Sequence, residues 1–254
     1  MLDLGLSSDF GIKCPGTAHV ATDTITFDGA NYRMNGTAGG TSSGGMAINA
    51  STGVLTITTR LSGGVLTKIV CEGSDGYGGV AGAGGGVGGG GGACSIKTSV
   101  SASGSDTFTC SIGQPIDETQ TQISNPSATI VCKAAAGKVN GTGGSSASGV
   151  GDTKYSGGNG GAGGSGGGGG GGSRASELAA GNNGSAGGAS AGGAGGTAPL
   201  GGFVGGNGGS SGVTGLAAIN DKGGTGGDGF ASSPGDAPAY PRNYGEIRIS
   251  YTFV

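Results

Sequence analysis

The residues able to perform acid–base or nucleophilic chemistry are few and widely spaced. The chain has one histidine, His19, so a hydrolase triad could use only that imidazole, and its neighbours Ala18 and Val20 are typical of a strand or turn. The adjacent carboxylates of Asp117 and Glu118 could in principle serve a glycosidase. Neighbouring residues on a loop flanked by proline point apart, however, which favours a solvated turn. We therefore predict that the protein is not an enzyme.

Signals for a metal or a nucleotide are also weak. Asp221 and Asp228 could join backbone carbonyls around calcium, but no EF-type loop is present. The cysteines contain no C-x-x-C spacing, which argues against zinc in a chain with a single histidine. GxGxxG-like strings arise by chance at this glycine content, and none precedes a convincing helix. We expect no cofactor and no metal.

The cysteines are interpreted mainly as small apolar residues. There are five, Cys14, Cys71, Cys94, Cys110 and Cys132, and the odd number favours free thiols. Three of them, Cys71, Cys110 and Cys132, sit among β-branched residues, where a buried thiol behaves as a small hydrophobe. A disulfide between Cys71 and Cys132 is the alternative.

Composition sets broad limits on partners. Glycine occupies 69 and proline 7 of 254 positions, together about 30%, a level that without a repeat normally indicates disorder. The net charge is −3 and charged residues are 11%, so no basic surface for nucleic acid is predicted. No apolar run approaches the ~20 residues that span a bilayer. The segment Met1–Asp9 lacks the features of a signal peptide, so synthesis in a cytosol is expected.

Strand-like segments alternate with glycine runs along most of the chain. The first 62 residues contain two of them, at 24–27 and 54–61, the second with apolar residues at period two. After Gly63 further strands are predicted at 65–71, 95–100, 107–112, 128–133 and 246–253, with glycine-rich segments between them. A hairpin turn is predicted at 103–106.

The glycine-rich part from 137 to 229 repeats Gly-Gly-x, as in Gly160–Ser165 and Gly192–Thr197. Glycine disfavours helix and weakens sheet. A three-residue repeat matches the polyproline-II conformation, whose N–H and C=O groups point outward. Several such helices could form hydrogen bonds side by side if the facing residues lack a Cβ. Each helix would then carry its side chains along one free edge. Larger residues at 174–178, 199–204, 213–222 and 230–244 are predicted to form the turns between them.

This order of features resembles the glycine-rich C-terminal domains of bacteriophage tail-fibre proteins. The matching segments are Leu66–Cys71, Ala93–Thr98, Asp106–Gly113, Gly226–Gly229 and Gly245–Ile249, and the resemblance covers about three quarters of the chain. The distal adhesins of T-even-type phages are similar in holding a sandwich of polyglycine helices whose connecting loops contact the host receptor.

The resemblance implies a mainly β fold with a bundle of polyglycine helices of the polyproline-II type. It implies that residues 63–254 form the tail-fibre-like domain. Residues 1–62, which the resemblance does not cover, are predicted to form an N-terminal β region with attachment as its candidate role. Implied partners are other virion fibre proteins and a host surface protein or glycan, with a homotrimer as one candidate assembly. The implied location is the virion, without membrane insertion or nucleic-acid binding.

Receptor binding is predicted to lie in the connecting loops, since loops on a rigid scaffold tend to carry function. Aromatic and arginine side chains suit sugar or protein surfaces by stacking and bidentate hydrogen bonding. The candidates are Tyr155, Arg174, Phe203, Phe230, Tyr240, Arg242 and Tyr244. Prolines stiffen the 238–244 cluster. The alternative for Phe203 and Phe230 is that they fill gaps at the ends of the glycine lattice.

Two other functions compete with host binding. The first is a purely structural role in a fibre or capsid. The second is ice binding, because some antifreeze proteins are also bundles of polyglycine helices with flat arrays of small residues. The strand framework and the bulky loops favour the virion reading.

Overall fold

The structure, a computed structural model, describes residues 18–42, 44–58, 61–79, 84–115, 117–211, 213, 215–216, 224 and 244–253. It is mainly β, with two antiparallel sheets. No helix in these ranges has the length and apolar character needed to cross a bilayer.

Twelve strands are present in the described ranges. In chain order they are β1 (His19–Phe27), β2 (Tyr32–Met34), β3 (Thr37–Ala38), β4 (Met46–Ile48), β5 (Val54–Ile57), β6 (Leu61–Glu72), β7 (Cys94–Ser101), β8 (Thr107–Ser111), β9 (Thr121–Ser124), β10 (Ile130–Ala134), β11 (Thr153–Tyr155) and β12 (Glu246–Phe253). The large sheet has the order β11-β7-β6-β12-β1-β2-β3, and the small sheet the order β10-β9-β8-β5-β4. A 3-10 helix lies at Ser146–Ser148.

One apolar core lies between the two sheets. Strand β12 shows why the sequence folds this way: Ile247, Ile249 and Tyr251 alternate with polar residues and are fully buried. They meet Phe108 and Ile123 of the small sheet in one cluster. At about 25 cal/mol per Å² of apolar surface, this cluster is the main hydrophobic contribution to stability.

The described residues among the first 62 belong to the same β-framework as the rest. Strand β1 pairs with β12, from His19↔Phe253 to Ile25↔Ile247, and β5 pairs with β8. The boundary predicted at residue 62 falls inside β6. The segment predicted for attachment therefore shares its core with the predicted tail-fibre-like domain.

The prediction of buried free thiols is confirmed for four cysteines. Cys71, Cys94, Cys110 and Cys132 are all free and buried, whereas Cys14 lies outside the described residues. The Cys132 thiol points at the carbonyl of Ser95, 3.3 Å away, beside Cys71, which is the register partner of Ser95. The two thiols considered for a disulfide are therefore neighbours in the reduced state.

Several strand predictions need correction. The turn at 103–106 exists, with the Asp106 N–H donating to the Ser103 carbonyl at 3.1 Å, but it forms no hairpin: β7 lies in the large sheet and β8 in the small one. The strand predicted at 54–61 ends at Ile57, and Leu61 begins β6. Five short strands, β2, β3, β4, β9 and β11, were not predicted.

The outer face of the large sheet is covered as well. Val70 and Cys94 are buried there against Ala175, with Ile96 and Tyr155 packed around them. A segment from the glycine-rich part thus lies on the face of β6 and β7 that points away from the core. This contact places residues 173–178 directly over the sheet.

The glycine-rich part is held by backbone hydrogen bonds that recur every third residue. The N–H groups of Gly85, Gly88 and Gly91 donate to the carbonyls of Gly164, Gly161 and Gly158, at 2.8 to 2.9 Å. Two segments that run parallel to each other have the same three-residue spacing of hydrogen bonds. The N–H groups of Gly169, Gly172 and Ala175 donate to the carbonyls of Gly86, Gly89 and Gly92. An antiparallel β-ladder would instead follow the two-residue period of a strand.

Residues 166–175 lie in the middle of this arrangement. Within the described part of the chain they exchange hydrogen bonds with six pieces of backbone, namely 84–92, 156–165, 180–188, 191–197, 203–209 and Gly224. A methyl group placed at Gly167 would lie 1.9 Å from the Ala191 carbonyl oxygen, and one at Gly170 would lie 2.0 Å from that of Ala194. The seven consecutive glycines at 166–172 therefore occur where neighbours surround the chain.

Outer segments follow the Gly-Gly-x repeat because they have one free side. Asn159, Ala162 and Ser165 are exposed, while Gly158 and Gly161, which directly precede Asn159 and Ala162, are buried. Residues 191–197 repeat this pattern, with exposed residues at every third position. Position in the arrangement thus determines where a side chain is tolerated.

Candidate functional site

Two turns of the glycine-rich part lie side by side and share one hydroxyl. The Ser176 Oγ accepts hydrogen bonds from the N–H groups of Leu178 and Ala179, both at 3.1 Å, and donates to the carbonyl of Leu200 at 2.6 Å. The second turn closes with the Gly202 N–H on the Pro199 carbonyl at 2.8 Å. We call residues 176–179 and 199–203 the paired turns. Serine is well suited to this role because its hydroxyl competes for backbone groups in turns.

A buried ion pair fixes the base of the paired turns. Arg174 is fully buried, and its Nη2 donates to Asp75 Oδ2 at 2.5 Å while Nε donates at 3.0 Å. The same carboxylate accepts the Gly92 N–H at 2.7 Å. Burial alone would lower the pKa of Arg174, but the charge and hydrogen bonds of Asp75 raise it above its ordinary value. The guanidinium therefore stays charged. The ion pair joins the parts of the chain around Asp75, Gly92 and Arg174.

A row of charged side chains continues from this pair to the surface. Arg248 donates to Glu246 at 2.8 Å, to Glu72 at 2.7 Å and to Glu177 at 2.9 Å. Lys68 donates to the other oxygen of Glu177 at 2.7 Å. We call these five residues the charged row.

Interactions within the charged row shift the pKa values of Glu177 and Arg248. Partial burial opposes ionisation of Glu177, but the hydrogen bond from Lys68 and the charges of Arg248 and Lys68 outweigh it and lower its pKa. Burial likewise opposes the charge of Arg248, while Glu72 and Glu246 raise its pKa. Both groups are therefore ionised over the whole physiological pH range.

An open cleft of ≈ 350 Å³ lies between the charged row and the paired turns. Glu72, Glu177 and Arg248 provide its polar side. Leu178 and Phe203 provide apolar side chains, and Ser176 and Gly201 complete the lining. The cleft thus combines fixed charges with an apolar wall.

The paired turns carry two of the most exposed apolar side chains in the described ranges. Leu178 is 61% exposed and Leu200 is 73% exposed. A methyl group at Gly201 would lie 3.5 Å from the Leu178 Cδ1, so the Leu178 side chain lies close to the second turn. Leucines left uncovered next to a cleft are typical of interaction surfaces.

The structure brings three predicted receptor-binding residues together, because Phe203 and Tyr244 both contact Arg174. Phe203 forms an isolated β-bridge with Arg174 and lines the cleft. The Tyr244 carbonyl accepts from Arg174 Nη2 at 3.1 Å, while its ring packs edge-on against Phe27 at 5.6 Å. Tyr155 lies apart from them, half-buried in the cluster behind the large sheet.

The prediction that Arg174 is displayed by an exposed loop is wrong, because its side chain is fully buried against Asp75. Phe230, Tyr240 and Arg242 lie outside the described residues, as do Asp221 and Asp228. A receptor role for the remaining candidates stays a prediction.

The other side chains considered for chemistry have structural contacts. His19 stacks on Phe253 with ring centroids 5.5 Å apart. Glu118 accepts the N–H of Val139 at 3.0 Å. The described residues contain no group of three or more His, Cys, Asp or Glu side chains that could hold a metal ion.

Sequence reasoning did not single out Glu177, Leu178, Leu200 or Arg248. A usable signal was present for the two leucines: each is a large apolar residue inside a predicted turn, where no burial explains it. Arg248 lies among the partly exposed polar residues of β12, where an arginine gives no signal of its own. Its partners are distant in sequence, so no local pattern indicates them.

Comparison with protein-family models, curated proteins and solved structures found no match to this chain.

Proposed function

We propose that this chain is a virion protein of a bacteriophage tail fibre and that it binds the host surface through the paired turns. The observation that carries the proposal is the exposure of Leu178 and Leu200 on turns that are fixed from below. Ser176 ties the two turns together, and the Asp75–Arg174 pair anchors the segment that leads into them. Rigid presentation of apolar side chains lowers the ordering cost of association.

The proposal includes an arrangement of the glycine-rich segments as a lattice of polyproline-II helices. The three-residue hydrogen-bond spacing supports it, because that conformation has three residues per turn and no internal hydrogen bonds. None of the glycines in 84–92, 157–172 or 181–196 has a positive φ. Glycine adopts either sign with nearly equal ease, so the uniform negative sign supports one common helical hand.

Binding to bacterial cells tests the proposed function. The purified protein, fluorescently labelled, would be incubated with a panel of bacterial strains and the bound fraction measured. A Leu178→Asp, Leu200→Asp double variant should lose binding to every strain that the wild type binds. The matched control is Val20→Asp, which changes an 80% exposed valine on β1 and should bind normally.

Equal binding by the double variant and the wild type would show that the paired turns are not the contact surface. Binding to none of the strains would favour the purely structural role. A Tyr240→Ala, Arg242→Ala variant tests the predicted binding residues outside the described ranges separately. Tyr244 is left intact there, because its ring packs on the core.

A second function is favoured by one observation, the exposed small residues of the outer segments. Ala191, Ala194 and Thr197 are exposed at successive third positions, which would suit a flat ice-binding face. Thermal hysteresis of the purified protein separates the two functions: clear activity at micromolar concentration would replace the virion proposal.

A further inference from the structure

We infer that the cleft between the charged row and the paired turns binds a neutral saccharide unit. The inference rests on the proposed function only for the source of that sugar, a host surface glycan. Its chemistry follows from the described side chains alone: two carboxylates, a guanidinium and two apolar groups around ≈ 350 Å³ of open space. This volume lies at the lower end of the range for small-molecule sites, about 300–1,000 Å³.

The polar side of the cleft is already held in place. Arg248 is fixed by hydrogen bonds to three carboxylates, and Glu177 is fixed by Lys68 and Arg248. A ligand therefore meets groups whose rotamers are set before binding, which reduces the entropy lost on association.

The charge balance favours a neutral ligand. Glu177 is paired with two cations and Arg248 with three anions, so a charged ligand would have to compete with an existing partner. A hydroxyl does not compete in this way, because each carboxylate oxygen accepts more than one hydrogen bond. Neighbouring hydroxyls can donate to Glu177 and accept from Arg248 while the ion pair stays intact.

The apolar side of the cleft fits the other half of a sugar ring. Leu178 and Phe203 line it together with the charged groups, and a pyranose presents a C–H face together with hydroxyl edges. The Phe203 backbone is held by its bridge to Arg174, whose side chain is buried. A ring lying against these two side chains would direct its hydroxyls toward Glu177 and Arg248.

The test uses the full chain and the methyl glycosides of glucose, galactose, mannose, rhamnose and N-acetylglucosamine as probes. Binding would be followed by NMR titration at millimolar sugar, observing the Leu178 methyl groups and the Arg248 Nε–H. At least one of these sugars should give saturable shifts at both positions. Absence of saturable shifts with all five overturns the inference.

Matched variants locate the binding. Leu178→Ala and Glu177→Gln should each weaken the affinity by about tenfold, the effect of losing one apolar contact or one charge-assisted hydrogen bond. Leu216→Ala changes another exposed leucine outside this cleft and should leave the affinity unchanged. Equal affinity for the Leu178 variant and the wild type would also overturn the inference.

The inference and the proposed function can fail separately. If the protein binds cells through the paired turns but no sugar enters the cleft, the saccharide inference fails and the proposed function stands. If a sugar binds in the cleft but no strain is recognised, the host-binding function fails and the saccharide site stands.

Discussion

Gly187 and Gly188 are adjacent, yet they face different surroundings. A methyl group at Gly187 would lie 2.1 Å from the carbonyl oxygen of Gly167, whereas at Gly188 the nearest contact would be the Ala191 carbonyl oxygen at 3.6 Å. A side chain at position 187 would therefore clash with the neighbouring segment, whereas one at position 188 would have room.

Alanine at each of these glycines tests the close packing of the segments. Gly187→Ala should lower the free energy of unfolding by about 1–3 kcal/mol, because the added methyl group forces two backbones apart. Gly188→Ala should leave stability unchanged or raise it slightly, since alanine restricts the unfolded chain. Thermal unfolding of both variants gives the comparison, and equal melting temperatures would contradict the packing.

Valine at the central segments should be more damaging. Gly167→Val and Gly193→Val place a branched side chain where a Cβ alone would already lie 1.9 and 2.0 Å from a carbonyl oxygen. Both variants should melt well below the wild type. Unchanged melting temperatures for the two would rule out the proposed lattice.

Breaking the buried ion pair should strongly destabilise the protein. Arg174→Leu leaves the Asp75 carboxylate buried without its cation, which costs about 3–5 kcal/mol in comparable buried pairs. The control is Lys97→Met, which removes an exposed pair with Asp152 and should have little effect. Urea unfolding measures both, and similar midpoints for the two variants would show that the buried pair is unimportant.

Acid should remove the contribution of Glu177 to stability. Its pKa is lowered in the folded state, so the native protein binds a proton there less readily than the unfolded chain. The stabilisation is therefore complete above the unfolded pKa and is lost as pH falls through the folded value. Wild type should exceed Glu177→Gln in unfolding free energy at pH 7, and the gap should close on acidification. A gap independent of pH would contradict this assignment.

The four buried thiols should resist alkylation in the native protein. Burial raises the pKa of Cys110 to about 12 and also raises the pKa values of Cys71 and Cys94. The thiolate fraction of Cys110 at pH 8 is then on the order of 10⁻⁴. In a Cys14→Ser background, iodoacetamide should label the protein only after denaturation, as mass spectrometry would show. Rapid labelling of the native protein would place a thiol at the surface.

Local patterns predicted the strands whose two faces differ clearly. Strand β12 was placed at its observed bounds, because Ile247, Ile249 and Tyr251 alternate strictly with polar residues. Strand β9 was missed, since its four residues carry a single large apolar side chain, Ile123. The turn at 103–106 was recognised, but a turn does not specify which sheet the next strand joins.

The candidate site was harder to predict because long-range contacts build it. Asp75 and Arg174 are 99 positions apart in sequence, and nothing near Arg174 indicates that it is buried. The turn around Ser165–Gly167, closed by the Gly164 N–H on the Gly167 carbonyl, lies at a glycine run that offers no bulky residue as a signal. The paired turns were predicted by their larger residues, but not their contact through Ser176.

The three-residue spacing of the hydrogen bonds limits how the chain can change length. Inserting or deleting three residues within a segment returns every donor and every Cβ to its former direction, whereas one or two residues would turn side chains into the neighbouring backbone. The paired turns are free of this restriction. Natural length variation should therefore come in multiples of three inside the segments and in any number at the turns, so that the turns can diversify while the packing of the glycine-rich segments stays unchanged.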